Sequence, residues 1–365
     1  MKRRNSSLIV VSLVCLRLLF AAAPDVAGLR YVHRTIAGPL SIHILEVDPR
    51  LLRIEAVRAL DDGVGRETVS SIAQRKGALA AVNGGFFWIG GRYDGEPDGI
   101  LKIQQQWFSD PAKLRGAIGW THGGETAAIG RLNMKWKLES GSSTFLIDGI
   151  NRPRGASEAI LYNWAFHRST LTDPDGTELL VSGNKVINIW KNGNASIPKD
   201  GYVYSVGPQA SISVENLKAK ARVKVAYELD ATAENAAAAT RDWRAMDFIV
   251  GGMPALFFDR RLDFESNQEK MPAGFAADKH PRTAVGLRAD GTWVFVVVDG
   301  RQPTLSVGMN LGELSALLLS LDCVDALNLD GGGSSTLYYQ GSIANSPSDA
   351  TKERPVSDAI VILKK

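Results

Sequence analysis

Cysteine is nearly absent: Cys15 and Cys323 are the only two in 365 residues. Cys15 falls in an apolar N-terminal run and lacks the small residues that precede a lipid-modified cysteine. Cys323 is then alone, so a disulfide scaffold is excluded and a hydrophobic core must supply stability. It stands between a helical pattern and an apolar strand, where a thiol is more often a small core group than a nucleophile. Charge of one sign is also lacking. A formal net charge of +3 gives no argument for nucleic acid. The five histidines, His33, His43, His122, His167 and His280, show no zinc spacing. Neither a metal nor a cofactor is expected. There are no heptads, no repeat of fixed period and no Gly-x-Ser-x-Gly elbow. The longest glycine run has no lysine and precedes a strand, so it is not a nucleotide phosphate loop. Proline is scarce, fifteen against thirty-six glycines, which points to many turns rather than disorder.

What is present begins with Lys2-Arg3-Arg4 and an apolar run from Leu8 to Ala23, the pattern of a secretory signal peptide. Arg17 interrupts the run, and a charge there costs about 2.5 kcal/mol or more on insertion. Cleavage after Ala23 or Gly28 is expected, with an uncleaved anchor as the alternative. Residues 1–28 are thus assigned to the signal and 29–365 to a single domain. No stable membrane span is expected after cleavage.

Strand patterns dominate the remainder. Ser41–Val47 and Leu51–Val57 alternate around an Asp48-Pro49 turn. Thr68–Lys76 has helical spacing with Thr68 as N-cap. Ala78–Val82, Ala221–Leu229, Met246–Val250, Ala255–Phe258 and Ala359–Leu363 read as strands. Thr283–Arg288 and Thr292–Val298 form a hairpin across Asp290-Gly291. The second of these is apolar on both faces and belongs inside a sheet. Asn310 and Glu313 make a capping box for a helix with Leu311, Leu314, Leu317, Leu318 and Leu321 as its core stripe. Short strands and turns fill Gly99–Leu138 and Gly141–Val206. Ala231–Trp243 is alanine-rich and partly helical. The expected class is α+β, with mixed, largely antiparallel sheets, a few packed helices and active-site loops at strand ends.

Four strand ends carry glycine turns beside polar residues: Asn83-Gly84-Gly85, Gly251-Gly252, Asp299-Gly300-Arg301, and Asp330 followed by Gly331, Gly332 and Gly333. Each alone is a common turn. Together they suggest loops meeting at one sheet edge, where sites form. Asp330 leads into Ser334, Ser335 and Thr336, so a carboxylate, bare backbone N–H groups and hydroxyls make a polar cradle for an anion or sugar. A purely structural loop is the alternative. Asp299 and Asp330 are the carboxylate candidates, although either could cap its own turn. Arg282, Arg301 and Arg354 can grip phosphate bidentately or make surface ion pairs.

Asn83-Gly84-Gly85-Phe86-Phe87, Pro281-Arg282-Thr283-Ala284, Val298-Asp299-Gly300-Arg301, Ser306-Val307-Gly308-Met309-Asn310, Asn328-Leu329-Asp330-Gly331-Gly332-Gly333-Ser334-Ser335-Thr336 and Arg354-Pro355-Val356-Ser357-Asp358 together resemble the phosphodiester glycosidase family. The resemblance is dense from His280 onward and thin between Gly99 and Leu229. It implies an enzyme that cleaves the bond between an anomeric carbon and a phosphodiester. It also implies a bacterial secreted or periplasmic setting in exopolysaccharide or cell-envelope metabolism, with a sugar-phosphate or envelope polysaccharide as partner. On this reading Asp330 is nucleophile or general base, Asp299 the second carboxylate, and Arg282 and Arg301 phosphate clamps. Asn83, Gly84, Gly252, Thr283, Gly331–Gly333, Ser334, Ser335, Thr336 and Arg354 would bind substrate. Two readings stay open: a metal-dependent phosphodiesterase that cuts P–O with Asp299 and Asp330 as ligands, and a non-catalytic glycan-binding protein.

Overall fold

The structure, a computed structural model, describes residues 26–214, 217–232 and 241–365. Four sheets carry it, and their pairings are antiparallel apart from Gly149–Ile150 beside Ala159–Asn163. The first sheet is seven-stranded and runs Leu29–Ile36, Leu40–Val47, Trp293–Val298, Arg282–Arg288, Cys323–Asn328, Ala255–Phe258, Arg261–Leu262. The second has five strands, with Ala80–Asn83 flanked by Leu337–Tyr339 and Asp358–Lys364. A third sheet is built on Ala127–Ser140, Arg115–Trp120 and Phe248–Gly252, and the fourth gathers strands from 149 to 206.

The main core lies where the first three sheets meet. Leu45, Phe295 and Leu327 from the first pack with Ile54, Val82 and Ile360 from the second and Trp120, Ile129 and Val250 from the third. A second core, holding Trp107, Trp136 and Tyr204, joins the third sheet to the fourth. All six residues of Trp293–Val298 are buried, as expected of a strand apolar on both faces.

Two α-helices are present among the described residues, so the fold is more β-rich than an even α+β class. Val69–Lys76 starts at Thr68, whose side chain accepts from Ser71 N–H, and buries Val69, Ile72 and Ala73. Leu311–Ser320 has the expected capping box: Asn310 Oδ1 accepts Glu313 N–H at 2.8 Å, and Glu313 Oε2 accepts Asn310 N–H at 3.0 Å. It lays Leu311, Leu314 and Leu318 on the outer face of the first sheet.

Some expectations shift. Gly251 and Gly252 do not form a turn. They are the extended, buried end of Phe248–Gly252, paired with Ala117 and Gly116. Ala231 and Thr232 close the strand Lys224–Thr232, and the rest of the expected helix falls largely in 233–240, outside the described residues. Residues 1–25 of the expected signal also lie outside them. The Gly28 carbonyl, by contrast, accepts Asp48 N–H at 2.8 Å and belongs to the fold. The strand Leu29–Ile36 escaped sequence reading because it is a polar edge strand with an exposed second half.

Replacing Asn310 by alanine removes the acceptor for Glu313 N–H. Urea unfolding should then show a loss of about 1 kcal/mol with an unchanged m-value.

Candidate functional site

Strand register brings the polar loops together. Arg282 pairs with Val298 and Ala284 with Asn328, so Arg282, Asp299 and the chain after Asn328 emerge at one edge of the first sheet. In the second sheet Asn83 pairs with Ala359, which puts Gly84 beside Asp358. The Asn83 side chain joins the two edges. Its Nδ2 donates to the Asp330 carbonyl at 2.7 Å, and its Oδ1 accepts Thr283 Oγ1–H at 2.8 Å and Thr336 N–H at 3.2 Å. The Gly84 carbonyl accepts Asp330 N–H at 3.2 Å.

The loop after Asp330 then opens onto a cavity of about 350 Å³ lined by Phe86, Phe275, His280, Arg282, Arg301, Asp330, Gly331, Gly332, Gly333 and Arg354. Each glycine of the run is required by a close approach. A Cβ on Gly331 would lie 2.9 Å from the Pro281 carbonyl, and one on Gly332 3.0 Å from Arg301 Nη2. One on Gly333 would strike the Arg354 guanidinium. Gly332 also has φ +60°, a conformation costly for a residue with a side chain. The run therefore clears space for two guanidinium groups beside Asp330.

Asp330 is displaced upward from ordinary carboxylate behaviour. Enclosure in the protein raises its pKa to about 6, against hydrogen bonds from Ser334 and Gly331 N–H and the charge of Arg354. The nearby Asp358 adds to the rise. Asp358 is itself raised by burial, and its Oδ1 accepts Gly85 N–H at 3.1 Å. His280 is lowered by burial and then by Arg282 and Arg301, so it faces the cavity as a neutral imidazole at neutral pH. Burial brings Arg282 down to about 10, which leaves it charged. Its guanidinium donates to the carbonyls of Met309, Phe275 and Asp278 and lies over the Phe275 ring. Arg354 pairs with Asp349 at 2.6 Å. Among the described residues Arg301 makes no ion pair, and its Nη2 lies 3.5 Å from His280 Nδ1.

Of the residues expected to act, Asp330, Arg282, Arg301, Arg354 and the three glycines share the cavity. Asn83, Thr283 and Thr336 are fully buried in the rivet described above, and Ser334 and Ser335 are also enclosed. Gly84 is packed against the Asp358 carboxylate, and Gly252 against the Asn328 carbonyl. Asp299 does not line the cavity. Its carboxylate accepts from Ser41 Oγ at 2.8 Å, Asn345 Nδ2 at 3.1 Å and Ser346 N–H at 2.8 Å, and lies 3.0 Å from His43 Nε2. Sequence reading passed over His280, Phe86, Phe275 and Asp358 as site residues. Three of them stand inside or beside the motifs quoted above, so motif neighbourhood was the available signal. Phe275 has no such marker.

One enclosed carboxylate beside three arginines gives this cavity a charge pattern that suits an anionic ligand. Residues 175–363 match the phosphodiester glycosidase family, and the chain belongs to that family. Over 68 residues it is 48% identical to the bovine (Bos taurus) N-acetylglucosamine-1-phosphodiester alpha-N-acetylglucosaminidase, a match spanning 19% of this chain and 12% of that protein. An uncharacterized Rickettsia conorii protein is 27% identical over 233 residues, 62% of this chain and 77% of its own length. The crystal structure of a candidate exported protein of Burkholderia pseudomallei superposes with a TM-score of 0.76 at 25% identity, over 89% of this chain and 74% of that one.

Gly333→Ala forces the Arg354 guanidinium aside without demanding a positive φ. Titration with inorganic phosphate should show binding weakened about tenfold, the equivalent of one charge-assisted contact, with the thermal midpoint nearly unchanged. Asn83→Ala should instead destabilise by about 2–4 kcal/mol in urea, because it strands three buried partners at once.

Proposed function

We propose that this chain hydrolyses glycosyl 1-phosphodiesters at the anomeric C–O bond. The observation that carries this reading is the single cavity in which Asp330, with its pKa near 6, faces Arg282, Arg301 and Arg354. Water is consumed, the anomeric C–O bond breaks, and the products are a free sugar and a phosphomonoester. The departing group is a phosphate whose second pKa is about 6, so it leaves with little help from a proton donor. It needs cations, and the arginines supply them. The positive charge that develops at the sugar carbon needs an opposed carboxylate, and Asp330 fills that role as nucleophile or general base. Phe86 and Phe275, with ring centroids 6.4 Å apart, offer apolar walls against a sugar face. The N-terminal leader and the likeness to a candidate exported protein favour a secreted or periplasmic enzyme of bacterial exopolysaccharide or cell-envelope glycans.

Hydrolysis of a synthetic sugar 1-phosphodiester in ¹⁸O-water tests the bond broken. The label should enter the free sugar; label in phosphate, with sugar 1-phosphate as product, would mean P–O cleavage and end the proposal. Asp330→Asn should lower kcat/KM by roughly a hundredfold or more while the protein stays folded. The wild-type profile of kcat/KM should fall on the acid side with a midpoint near pH 6.

The same carboxyl shifts stability in the opposite sense. A folded pKa raised above the unfolded value gives stability that is complete below pH 3.8 and is lost as pH rises through about 6. Asp330→Asn removes that loss. It should raise the free energy of unfolding in urea at pH 7.5 but not at pH 4, by about 1–2 kcal/mol once solvent in the cavity is allowed for.

A further inference from the structure

We infer that Asp299 is a positioning residue which holds Arg301 in register with the Asp330 loop. The inference rests on the anionic-substrate reading of the cavity. Arg301 follows Asp299 by two residues and has φ +59°, a left-handed conformation that an arginine does not adopt unforced. What holds the turn is Asp299, which is 2 % exposed and bonded at every polar group. Its N–H donates to the Ser41 carbonyl at 3.0 Å, and its carbonyl accepts Ser306 Oγ–H at 2.5 Å. Its carboxylate takes the hydrogen bonds from Ser41, Asn345 and Ser346 given above. Those bonds and the His43 contact outweigh burial and keep its pKa below the usual carboxylate value.

Asn345 carries the constraint across to the other loop. While its Nδ2 donates to Asp299, it also donates to the Ser335 carbonyl at 3.0 Å, and its Oδ1 accepts Leu337 N–H at 2.8 Å. Ser335 and Leu337 lie directly beyond the glycine run. One buried carboxylate thus ties the turn that presents Arg301, which has no ion pair among the described residues, to the exit of the loop that presents Asp330. Gly332 meets the Arg301 guanidinium at the far end of the same arrangement. A carboxylate that touches no cavity surface cannot attack substrate or transfer its proton, yet moving it moves a phosphate ligand.

A binding cycle on Asp299→Asn, Arg301→Ala and the double variant tests this, with inorganic phosphate as probe and calorimetry as readout. Asparagine keeps the shape but offers one acceptor oxygen in place of two. Each single change should weaken binding about tenfold, and the double variant should be no weaker than Arg301→Ala alone. Multiplying losses would overturn the inference. Native-state trypsin gives a readout independent of any substrate: the bond after Arg301 should be cut about ten times faster in Asp299→Asn. Equal resistance in wild type and variant would also overturn it. Asn345→Ala serves if Asp299→Asn does not fold, and should move both readouts the same way. In turnover assays Asp299→Asn should change kcat and KM no more than Arg301→Ala does, with no further loss in the double variant; a kcat loss beyond that of Arg301→Ala would make Asp299 catalytic and refute positioning. Should wild type bind phosphate but hydrolyse no phosphodiester, the reaction reading fails, and the cycle and trypsin arms still decide the role of Asp299.

Discussion

The Asn83 side chain is the interaction on which the site depends. An amide is one of the few groups that can donate and accept at once, and all of this one's bonds join different parts of the chain. It receives Thr283 from the first sheet and Thr336 from beyond the glycine run, and it holds the Asp330 carbonyl. The two sheets share a core, and at their polar edge this side chain joins them together with the bond from Asp330 N–H to the Gly84 carbonyl. Buried polar groups tolerate only one geometry when every partner is satisfied. Asn83 therefore converts sheet packing into a fixed place for Asp330. A residue that looks like a substrate ligand in the sequence is buried, with its side-chain bonds going to other parts of the chain.

The glycine run answers the opposite demand. Around Asp330 the chain needs not rigidity but room, because guanidinium groups must come close to a carboxylate without pairing with it completely. Arg354 meets this by binding Asp349, and Arg282 by binding three carbonyls. Both guanidinium groups are thus held by other partners, and among the described residues Asp330 has no ion pair of its own. The three successive glycines let the backbone pass close to the Pro281 carbonyl and to the guanidinium groups of Arg301 and Arg354.

Much of this was legible in the sequence for a simple reason: the residues that need unusual backbone or fixed capping are also the ones with narrow chemical choices. The capping box at Asn310, the N-cap at Thr68, the buried strand Trp293–Val298 and the glycine run read correctly because each signals through local physics. What stayed hidden depends on distant partners. Asn83 and Thr283 are 200 residues apart and bond directly, and nothing local separates a polar residue that faces substrate from one that faces another polar residue. Asp299 shows the same limit, since its partners Ser41 and Asn345 lie far away on either side. Phe275 sits in an irregular stretch with no periodic pattern, and contacts distant in sequence, with Arg282 and Phe86, place it at the cavity. The exposed strand Leu29–Ile36 lacks alternation because half of it has no face to bury.

The electrostatic balance at Asp330 decides what chemistry the cavity can support. Cations nearby should drive a carboxylate well below its ordinary pKa, by one to three units for a close arginine. Here the value goes up instead, to about 6. Loss of hydration and the second carboxylate at Asp358 therefore outweigh the arginines, which is possible only because the arginines are turned toward other partners or toward open cavity. When a phosphate ligand enters, it brings negative charge to the same arginines and displaces water, and both effects push Asp330 further up. A base or nucleophile at that position then becomes more reactive, because a carboxylate with a higher pKa binds a proton, or an electrophilic carbon, more strongly. An anionic ligand would thus act on Asp330 through the same arginines that line the cavity beside it. A neutral ligand would bring neither effect to Asp330, so the charge arrangement in the cavity favours anionic ligands over neutral ones.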